Sequence, residues 1–189
     1  KSDEAVDEED ARLLHETTNR MQSLVEDTLS TLRETEAEEA TYAFSASEIL
    51  QLLKQRLRSE SDKAGITLDV ESSGEAEIDN LRANLILPIL LNLAQNAMEA
   101  TPEGGSVTLR AEARQGFVEF RVADTGPGIP EHLREQLFHP VQSDKPAGTG
   151  VGLAISRELA ERIEAELSLE HTGPEGSRFL LRIKEGHAS

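Results

Sequence analysis

Cysteine is absent from this sequence, and basic residues and long apolar runs are scarce. Without cysteine the chain cannot form a disulfide or a thiolate metal site, which fits a reducing compartment. The 19 lysine and arginine residues are outnumbered by 36 aspartates and glutamates, giving a formal net charge of -17. A surface this acidic argues against nucleic acid or an anionic membrane as a general partner. Any phosphate-binding site therefore has to be local.

The sequence has no apolar run near the roughly 20 residues that span a bilayer, and it lacks the n-region and h-region of a signal peptide. We therefore expect a soluble, cytoplasmic chain without membrane contact of its own. The first residue is Lys1 and no initiator methionine is present, which leaves room for a longer, membrane-anchored parent. The 189 residues suffice for one packed domain of roughly 100 to 200 residues plus an appendage.

Residues 1–40 have the pattern of a charged amphipathic helix, with 13 acidic and 4 basic side chains. A heptad-like seam runs along it, formed by Leu14, Thr18, Met21, Val25, Thr28 and Leu32. A helix this charged has little stability alone, so it should bury the seam against a partner helix, which predicts a homodimer formed through this segment. The alternative is a single helix lying on its own domain.

Residues 41–189 have the pattern of one further domain, entered through a linker at residues 40–46. Ser45 and Glu48 have capping-box spacing, which predicts a helix that ends at Gly65. Two more helices are predicted at residues 81–100 and 149–165, and five strands at residues 66–71, 106–113, 117–123, 167–171 and 178–184. The helices do not alternate one for one with the strands, and the later strands form hairpins. The predicted fold class is therefore α+β, a mostly antiparallel sheet with helices on one face, preceded by a long N-terminal helix.

Asn92 and Asn96 are spaced i and i+4, so both amides lie on one face of the predicted helix at residues 81–100. Asparagine carbonyls are neutral, hard oxygen donors, and Mg2+ prefers such oxygens together with waters and substrate phosphates. The pair is thus a candidate metal site beside a triphosphate. Alternatively, the two amides only satisfy neighbouring backbone groups.

Asp124 follows the predicted strand at residues 117–123, where the chain leaves the sheet. A carboxylate there can accept a hydrogen bond from an exocyclic amine such as N6 of adenine. Gly126 and Gly128 let the backbone take positive φ and approach a flat ligand closely. Alternatively, the segment is a tight turn in which the aspartate caps its own backbone amides.

Gly148, Gly150 and Gly152 precede and open the last predicted helix. Exposed amides at the positive end of a helix make an anion site, and Lys145 adds a mobile cation nearby. A dinucleotide-binding fold is disfavoured because residues 138–147 are not strand-like, and the P-loop pattern G-x-x-x-x-G-K-[ST] is absent. The carboxylate, the pair of amides and the glycine-rich anion site together predict a site that binds a nucleotide.

These segments resemble the sequence boxes of the GHKL ATP-binding family, in its sensor histidine kinase branch. Residues 92–97 (NLAQNA) resemble the N box, residues 124–128 the G1 box, residues 138–140 the F box and residues 148–153 the G2 box. The resemblance covers about residues 44–184. It implies the family's Bergerat-type fold, a two-layer α/β sandwich, which agrees with the order of elements predicted above.

The resemblance also implies roles for residues and ligands, namely ATP and Mg2+. Asn96 is expected to bind Mg2+ with Asn92 assisting, and Asp124 to hold the adenine amine. The segment from about residue 128 to residue 152 corresponds to the ATP lid. The remaining implied nucleotide contacts are Gly126, Gly128, Lys145, Gly148, Thr149, Gly150, Val151, Gly152 and Leu153.

The residue at position 92 separates the hydrolases of this family from its kinases. Gyrase, mismatch-repair and chaperone ATPases place a glutamate four residues before the metal-binding asparagine, as general base for water. Asn92 cannot take up a proton at neutral pH. The resemblance therefore implies transfer of the γ-phosphoryl group to a histidine, for relay to the aspartate of a response regulator receiver domain. The rivals are a serine kinase of the anti-sigma type, which the long N-terminal helix argues against, and a dimeric nucleotide-binding scaffold without catalysis.

His15 has the local pattern of a phosphoacceptor, because Glu16 and Asn19 follow it as the family's motif requires. The family, however, places a hairpin of two long helices between the acceptor and the ATP-binding domain. The 29 residues from His15 to Phe44 allow one helix of roughly 40 Å at 1.5 Å per residue. We therefore expect residues 1–40 to be the second helix of that hairpin, His15 to be an ordinary helix residue, and the acceptor to lie upstream.

Overall fold

The computed structural model of the chain describes residues 43–139 and 152–185. Within them the elements are β1 (Ala43–Ser45), α1 (Ala46–Ala64), β2 (Thr67–Ser73), β3 (Glu77–Asp79), α2 (Asn80–Ala100), β4 (Ser106–Arg114), β5 (Phe117–Asp124), α3 (Glu131–Arg134), α4 (Gly152–Arg162), β6 (Glu166–Gly173) and β7 (Gly176–Lys184). None of the described helices is long and apolar enough to cross a membrane.

The main sheet has five strands in the order β2-β4-β5-β7-β6. β2 pairs with β4 in parallel, and the other three pairings are antiparallel. The two hairpins, β4-β5 and β6-β7, turn at Gln115 and Gly116 and at residues 174 and 175, where the sequence predicts turns. The prediction of a mostly antiparallel sheet is confirmed.

The core lies between one face of this sheet and the helices α1, α2 and α4. On β5, Val118, Phe120 and Val122 are each 1% exposed, while the alternating residues Glu119 and Arg121 lie on the opposite face. Helix α2 is mostly apolar and its buried residues form the largest helical part of the core. The layer arrangement is the predicted α+β sandwich with helices on one face.

Helix α1 begins and ends where the sequence predicts. At its start the Glu48 amide donates to the Ser45 hydroxyl (3.2 Å) and the Ser45 amide donates to the Glu48 carboxylate (2.7 Å), forming the capping box. The backbone amide of Ser45, followed by its hydroxyl, lowers the pKa of Glu48. At its end Gly65 takes φ 65°, the left-handed conformation that closes a helix.

The linker predicted at residues 40–46 is partly wrong, because Ala43–Ser45 forms β1. This strand pairs antiparallel with β3, so that Phe44 lies opposite Ile78 and packs against the core. Three residues are too short for alternation to reveal a strand in a sequence. The pairing holds the start of the domain beside Asp79, whose carboxylate caps α2 by accepting from the Arg82 amide (2.9 Å).

The outer face of the sheet carries a network of ion pairs around Arg121. Its guanidinium lies 2.7 Å from Glu119, 3.1 Å from Glu170 and 3.7 Å from Glu112. The Arg121 side chain is only 22% exposed. Burial by itself lowers the pKa of Arg121, but the hydrogen bonds to Glu119 and Glu170 outweigh it, so the pKa is raised. One cation thus holds three carboxylates together on this face.

Replacing Arg121 by methionine should lower the free energy of unfolding by about 1 to 3 kcal/mol, because three carboxylates then lose a shared, partly buried partner. The matched control is Arg110→Met: Arg110 is 51% exposed and lies 3.9 Å from a single carboxylate, Glu71. That change should cost about 0.5 kcal/mol or less. Urea unfolding measures both, and the Arg121 deficit should shrink in 1 M salt. Equal losses for the two variants would contradict the shared role of Arg121.

Candidate nucleotide-binding site

The amide pair lies on the second half of helix α2. Asn92 and Asn96 are both half-buried, whereas Leu93, Ala94 and Ala97 between and beside them are at most 5% exposed. The spacing i and i+4 places both amides on one face of the helix. The structure therefore presents two amide side chains one turn apart on a mostly apolar helix.

Asn92 contacts helix α4. Its Nδ2 donates to the Ser156 hydroxyl over 2.9 Å, and its Oδ1 lies against Gly152, the first residue of α4. A Cβ placed on Gly152 would be 2.6 Å from that oxygen. A side chain at residue 152 would therefore require the Asn92 amide to shift. The Nδ2 contact is made to a side chain of α4 and not to neighbouring backbone.

Asn96 makes no side-chain hydrogen bond to any residue that the structure describes. Its oxygen is available as a neutral donor, and its metal-binding role stays a prediction.

Asp124 ends β5 and uses one of its two carboxylate oxygens inside the protein. Oδ1 accepts from the Gly126 amide (2.8 Å) and from the Ser177 amide (3.1 Å). The alternative in which the aspartate caps backbone amides is thus correct for Oδ1. Oδ2 has no hydrogen bond within residues 43–139 and 152–185, so it remains free to accept from a ligand amine.

The glycines after Asp124 are required by contacts with the protein's own backbone. A Cβ on Gly126 would lie 2.7 Å from the Ala100 carbonyl oxygen at the end of α2. Gly128 has φ 78°, and a Cβ there would collide with the Gly173 backbone. The expected positive φ is confirmed at Gly128 and wrong at Gly126. Gly126 therefore holds residues 124–128, the G1 loop, against Ala100, which lies one helical turn after Asn96.

Two hydroxyl residues that the sequence analysis does not single out tie this loop to the β6-β7 hairpin. The Ile129 amide donates to the Thr172 hydroxyl (2.7 Å), which in turn shares a hydrogen bond with the Ser177 hydroxyl (3.0 Å). Ser177 also donates its backbone amide to Asp124. Both ends of the G1 loop are thus held by one hairpin. Serine and threonine at a hairpin are ordinary turn residues, so no sequence pattern marks them.

Phe138 of the F box is packed between two elements of the domain. Its ring meets the Phe179 ring edge to face at 6.4 Å, and the Arg157 guanidinium lies 5.7 Å from its centre. These contacts link the segment after α3 to β7 and α4. Phe138 acts here as an anchor, which a lone aromatic in a sequence does not reveal.

The described members of the predicted site share one region. Asn92 and Asn96 lie on α2, the G1 loop lies against the end of α2, and Gly152 contacts Asn92; Leu153 follows it and packs against the core. The other predicted residues lie outside the described ranges, namely His15, Lys145, Gly148, Thr149, Gly150 and Val151. The dimerisation helix predicted at residues 1–40 also lies outside them.

The donor set fits a magnesium ion held partly by a ligand. No group of three or more histidine, cysteine, aspartate or glutamate side chains in the described part of the chain could hold a metal. The site instead offers the amide oxygens of Asn92 and Asn96. Mg2+ commonly takes one or two protein oxygens and completes its octahedron with waters and phosphates, so these residues suit a nucleotide-borne ion.

The model of the family of histidine kinase-, DNA gyrase B- and HSP90-like ATPases matches residues 82–187, more than half of the chain. The chain belongs to this ATPase family. Among its members, the histidine protein kinase DivJ of Caulobacter vibrioides is 35% identical over 182 residues, which is 92% of this chain and 30% of DivJ. The chain therefore spans less than a third of that relative.

Solved structures of family members agree with the fold. The catalytic domain of the histidine kinase ThkA has a TM-score of 0.67 at 30% identity, covering 77% of this chain and 96% of that domain. ThkA in complex with the response regulator protein TrrA has a TM-score of 0.64 at 27% identity, covering 89% and 49%. Full-length ShkA in complex with AMPPNP has a TM-score of 0.69 at 29% identity, covering 89% and 37%. The predicted resemblance to sensor histidine kinases is confirmed.

Gly128→Ala should destabilise this ATPase-family domain more than a matched change at Gly116. Both glycines have nearly equal φ, 78° and 80°, so alanine costs about 1 to 2 kcal/mol at either for the left-handed backbone. Only at Gly128 does the new Cβ meet backbone, that of Gly173; at Gly116 nothing lies within 4 Å. The collision should add about 1 to 3 kcal/mol. Urea unfolding of both variants tests this, and equal losses would mean that Gly128 is not pressed against the hairpin.

Proposed function

We propose that this chain contains the ATP-binding catalytic domain of a sensor histidine kinase, which transfers the γ-phosphoryl group of ATP to a histidine. The observation that carries the proposal is the gathering of the Asp124 carboxylate, the Asn92 and Asn96 amides and the start of α4 around the second half of α2. A neutral amide stands where a hydrolase of the family has its base.

Asp124 is the proposed adenine-binding residue. Its Oδ1 is held by two backbone amides, and its Oδ2 is left to accept a hydrogen bond from N6 of adenine. Because one oxygen is fixed to the fold, the other is pre-positioned, which lowers the ordering cost of binding. Guanine has no amine at the corresponding position, so the site should prefer adenine nucleotides.

Asn96, with Asn92 assisting, is the proposed protein contribution to a Mg2+ site. The ion would bring the ATP phosphates and charge neutralisation to the site. The positive end of α4 at Gly152 should face the phosphates, and Lys145, Gly148, Thr149, Gly150 and Val151 are proposed to surround them from the lid. In this arrangement the residues bind and orient ATP and supply no proton acceptor.

Phosphoryl transfer is favoured over hydrolysis because position 92 has no base. Asn92 cannot accept a proton, and its Nδ2 is already committed to Ser156. A water at the γ-phosphate would thus find no general base at this position. Transfer to a histidine then depends on positioning and on charge neutralisation, which supply most of the catalysis in such reactions.

The proposed reaction also requires an acceptor histidine, a response regulator and a second copy of the chain. ThkA in complex with its response regulator supports a receiver domain as the partner that takes the phosphoryl group onward. The seam at residues 1–40 supports a homodimer. His15 is too near the domain, at 29 residues from Phe44, for a two-helix hairpin to lie between them, so the proposed acceptor lies on a helix upstream of residue 1.

Asp124→Asn should weaken ATP binding by about 10- to 150-fold, because a charge-assisted hydrogen bond is worth about 1.5 to 3 kcal/mol. Asparagine can keep the Oδ1 contacts to Gly126 and Ser177, but it turns an NH2 donor toward the adenine amine. The control is Asp69→Asn, an exposed aspartate on β2, which removes the same charge away from the site. Isothermal titration calorimetry measures both, and unchanged binding by the Asp124 variant would refute its adenine role.

Incubation with γ-labelled ATP and a separately supplied acceptor helix of a related kinase tests the reaction. Label is expected on the helix as acid-labile phosphohistidine, with little free phosphate released. His15→Gln should leave this transfer unchanged if His15 is an ordinary helix residue. Acid-stable label would favour the serine kinase, binding without transfer would favour the scaffold, and rapid phosphate release would favour a hydrolase.

A further inference from the structure

Ser156 makes a contact that sets it apart from the other buried polar residues of the described helices. In the described ranges the buried polar residues are Ser61, Thr101, Ser156 and Ser177, each at most 7% exposed. Ser61 and Thr101 donate to carbonyls of their own helices, as serine and threonine often do. Ser156, at 2% exposed, instead accepts from the side chain of a different helix, the Nδ2 of Asn92.

This hydrogen bond determines how the Asn92 amide is turned. An amide carries its NH2 donor and its carbonyl acceptor in one plane, on either side of the Cβ–Cγ axis. With Nδ2 held by Ser156, Oδ1 is turned to the first residue of α4, where it lies against Gly152. Gly152 and Ser156 are four residues apart and so share one face of α4. This face of α4 thus binds the NH2 group of Asn92 through Ser156, and the missing side chain at Gly152 leaves room for the Asn92 oxygen.

We propose that Ser156 is a positioning residue that holds Asn92 with its carbonyl oxygen directed at the metal-bearing phosphates. The inference rests on the proposed function of the site. A metal ion requires the oxygen of an asparagine and is repelled by its NH2 group. Ser156 also ties the metal-binding helix α2 to α4, whose positive end faces the phosphates, so the two halves of the phosphate site keep a fixed separation.

The consequence is specific to the metal. If the Ser156 hydroxyl is removed, the Asn92 NH2 loses its partner and the amide can rotate. The contribution of Mg2+ to nucleotide binding should then fall, while the proposed adenine contact at Asp124 remains, because Asp124 makes no hydrogen bond to Ser156. Loss of a residue that orients a metal ligand typically costs 10- to 100-fold in metal affinity. The lower figure is expected here, because Asn96 still supplies its oxygen.

Calorimetry of AMPPNP binding, in Mg2+ and in EDTA, tests the proposal through the ratio of the two affinities. Ser156→Ala should reduce that ratio about tenfold and leave affinity in EDTA unchanged, and Ser156→Thr, which keeps the hydroxyl, should restore most of it. The matched control is Ser61→Ala, the same change at a buried serine of α1, which should not alter the ratio. Urea unfolding of each variant shows that it is folded.

A double-mutant cycle decides whether Ser156 acts through Asn92. In the Asn92→Ala background, Ser156→Ala should have no further effect on the ratio. The proposal is overturned if the effect persists in that background, or if Ser156→Ala weakens binding equally with and without Mg2+. If the wild-type chain binds no AMPPNP, or binds it equally with and without Mg2+, the proposed function fails first. A wild-type ratio that Ser156→Ala leaves intact overturns only the inference.

Discussion

The burial of helix α2 against the sheet is the interaction on which the rest of the site depends. Its apolar residues fill the core, so its orientation is fixed by the packing of side chains that have no other low-energy place. Asn92 and Asn96 lie half-buried on this helix, outside the core. The G1 loop reaches this helix because Gly126 lies against Ala100, and α4 reaches it because Gly152 lies against Asn92. The close neighbour is backbone at Gly126 and the Asn92 side chain at Gly152. These contacts bring three distant segments of the sequence to one place.

The electrostatics of the chain explain the kind of groups found there. A molecule with a formal charge of -17 that binds a polyphosphate has to neutralise charge locally. On the outer face of the sheet Arg121 is occupied by three glutamates and contributes little field elsewhere. The site instead uses neutral amides, the start of a helix and, as proposed, a bound divalent ion. The neutral amide at position 92 fits the proposed function, in which it avoids a negative charge beside the γ-phosphate and leaves water without a base.

Much of this was predictable from the sequence, and the limits have physical causes. The capping box at Ser45, the helix end at Gly65 and the hairpins follow from local chemistry, so they were predictable. The roles proposed for Asn92, Asn96 and Asp124 also come from spacing and residue type, and they stay predictions. The strand at Ala43–Ser45 was not predictable, since its partner Glu77–Asp79 is distant in the sequence. The roles of Thr172, Ser177 and Ser156 were not either, because each depends on a contact between elements that only the fold brings together.

The central claim is that one face of the molecule, around the second half of α2, binds ATP with a metal ion. Heteronuclear NMR of the chain titrated with AMPPNP and Mg2+ tests it most directly. The account predicts the largest shift changes at the side-chain amides of Asn92 and Asn96 and the backbone amides of Gly126, Gly128 and Gly152. The amides of Arg110 and Arg121, whose side chains lie on the outer face of the sheet, should hardly change. Changes concentrated on that outer face, or none at all at saturating ligand, would contradict it.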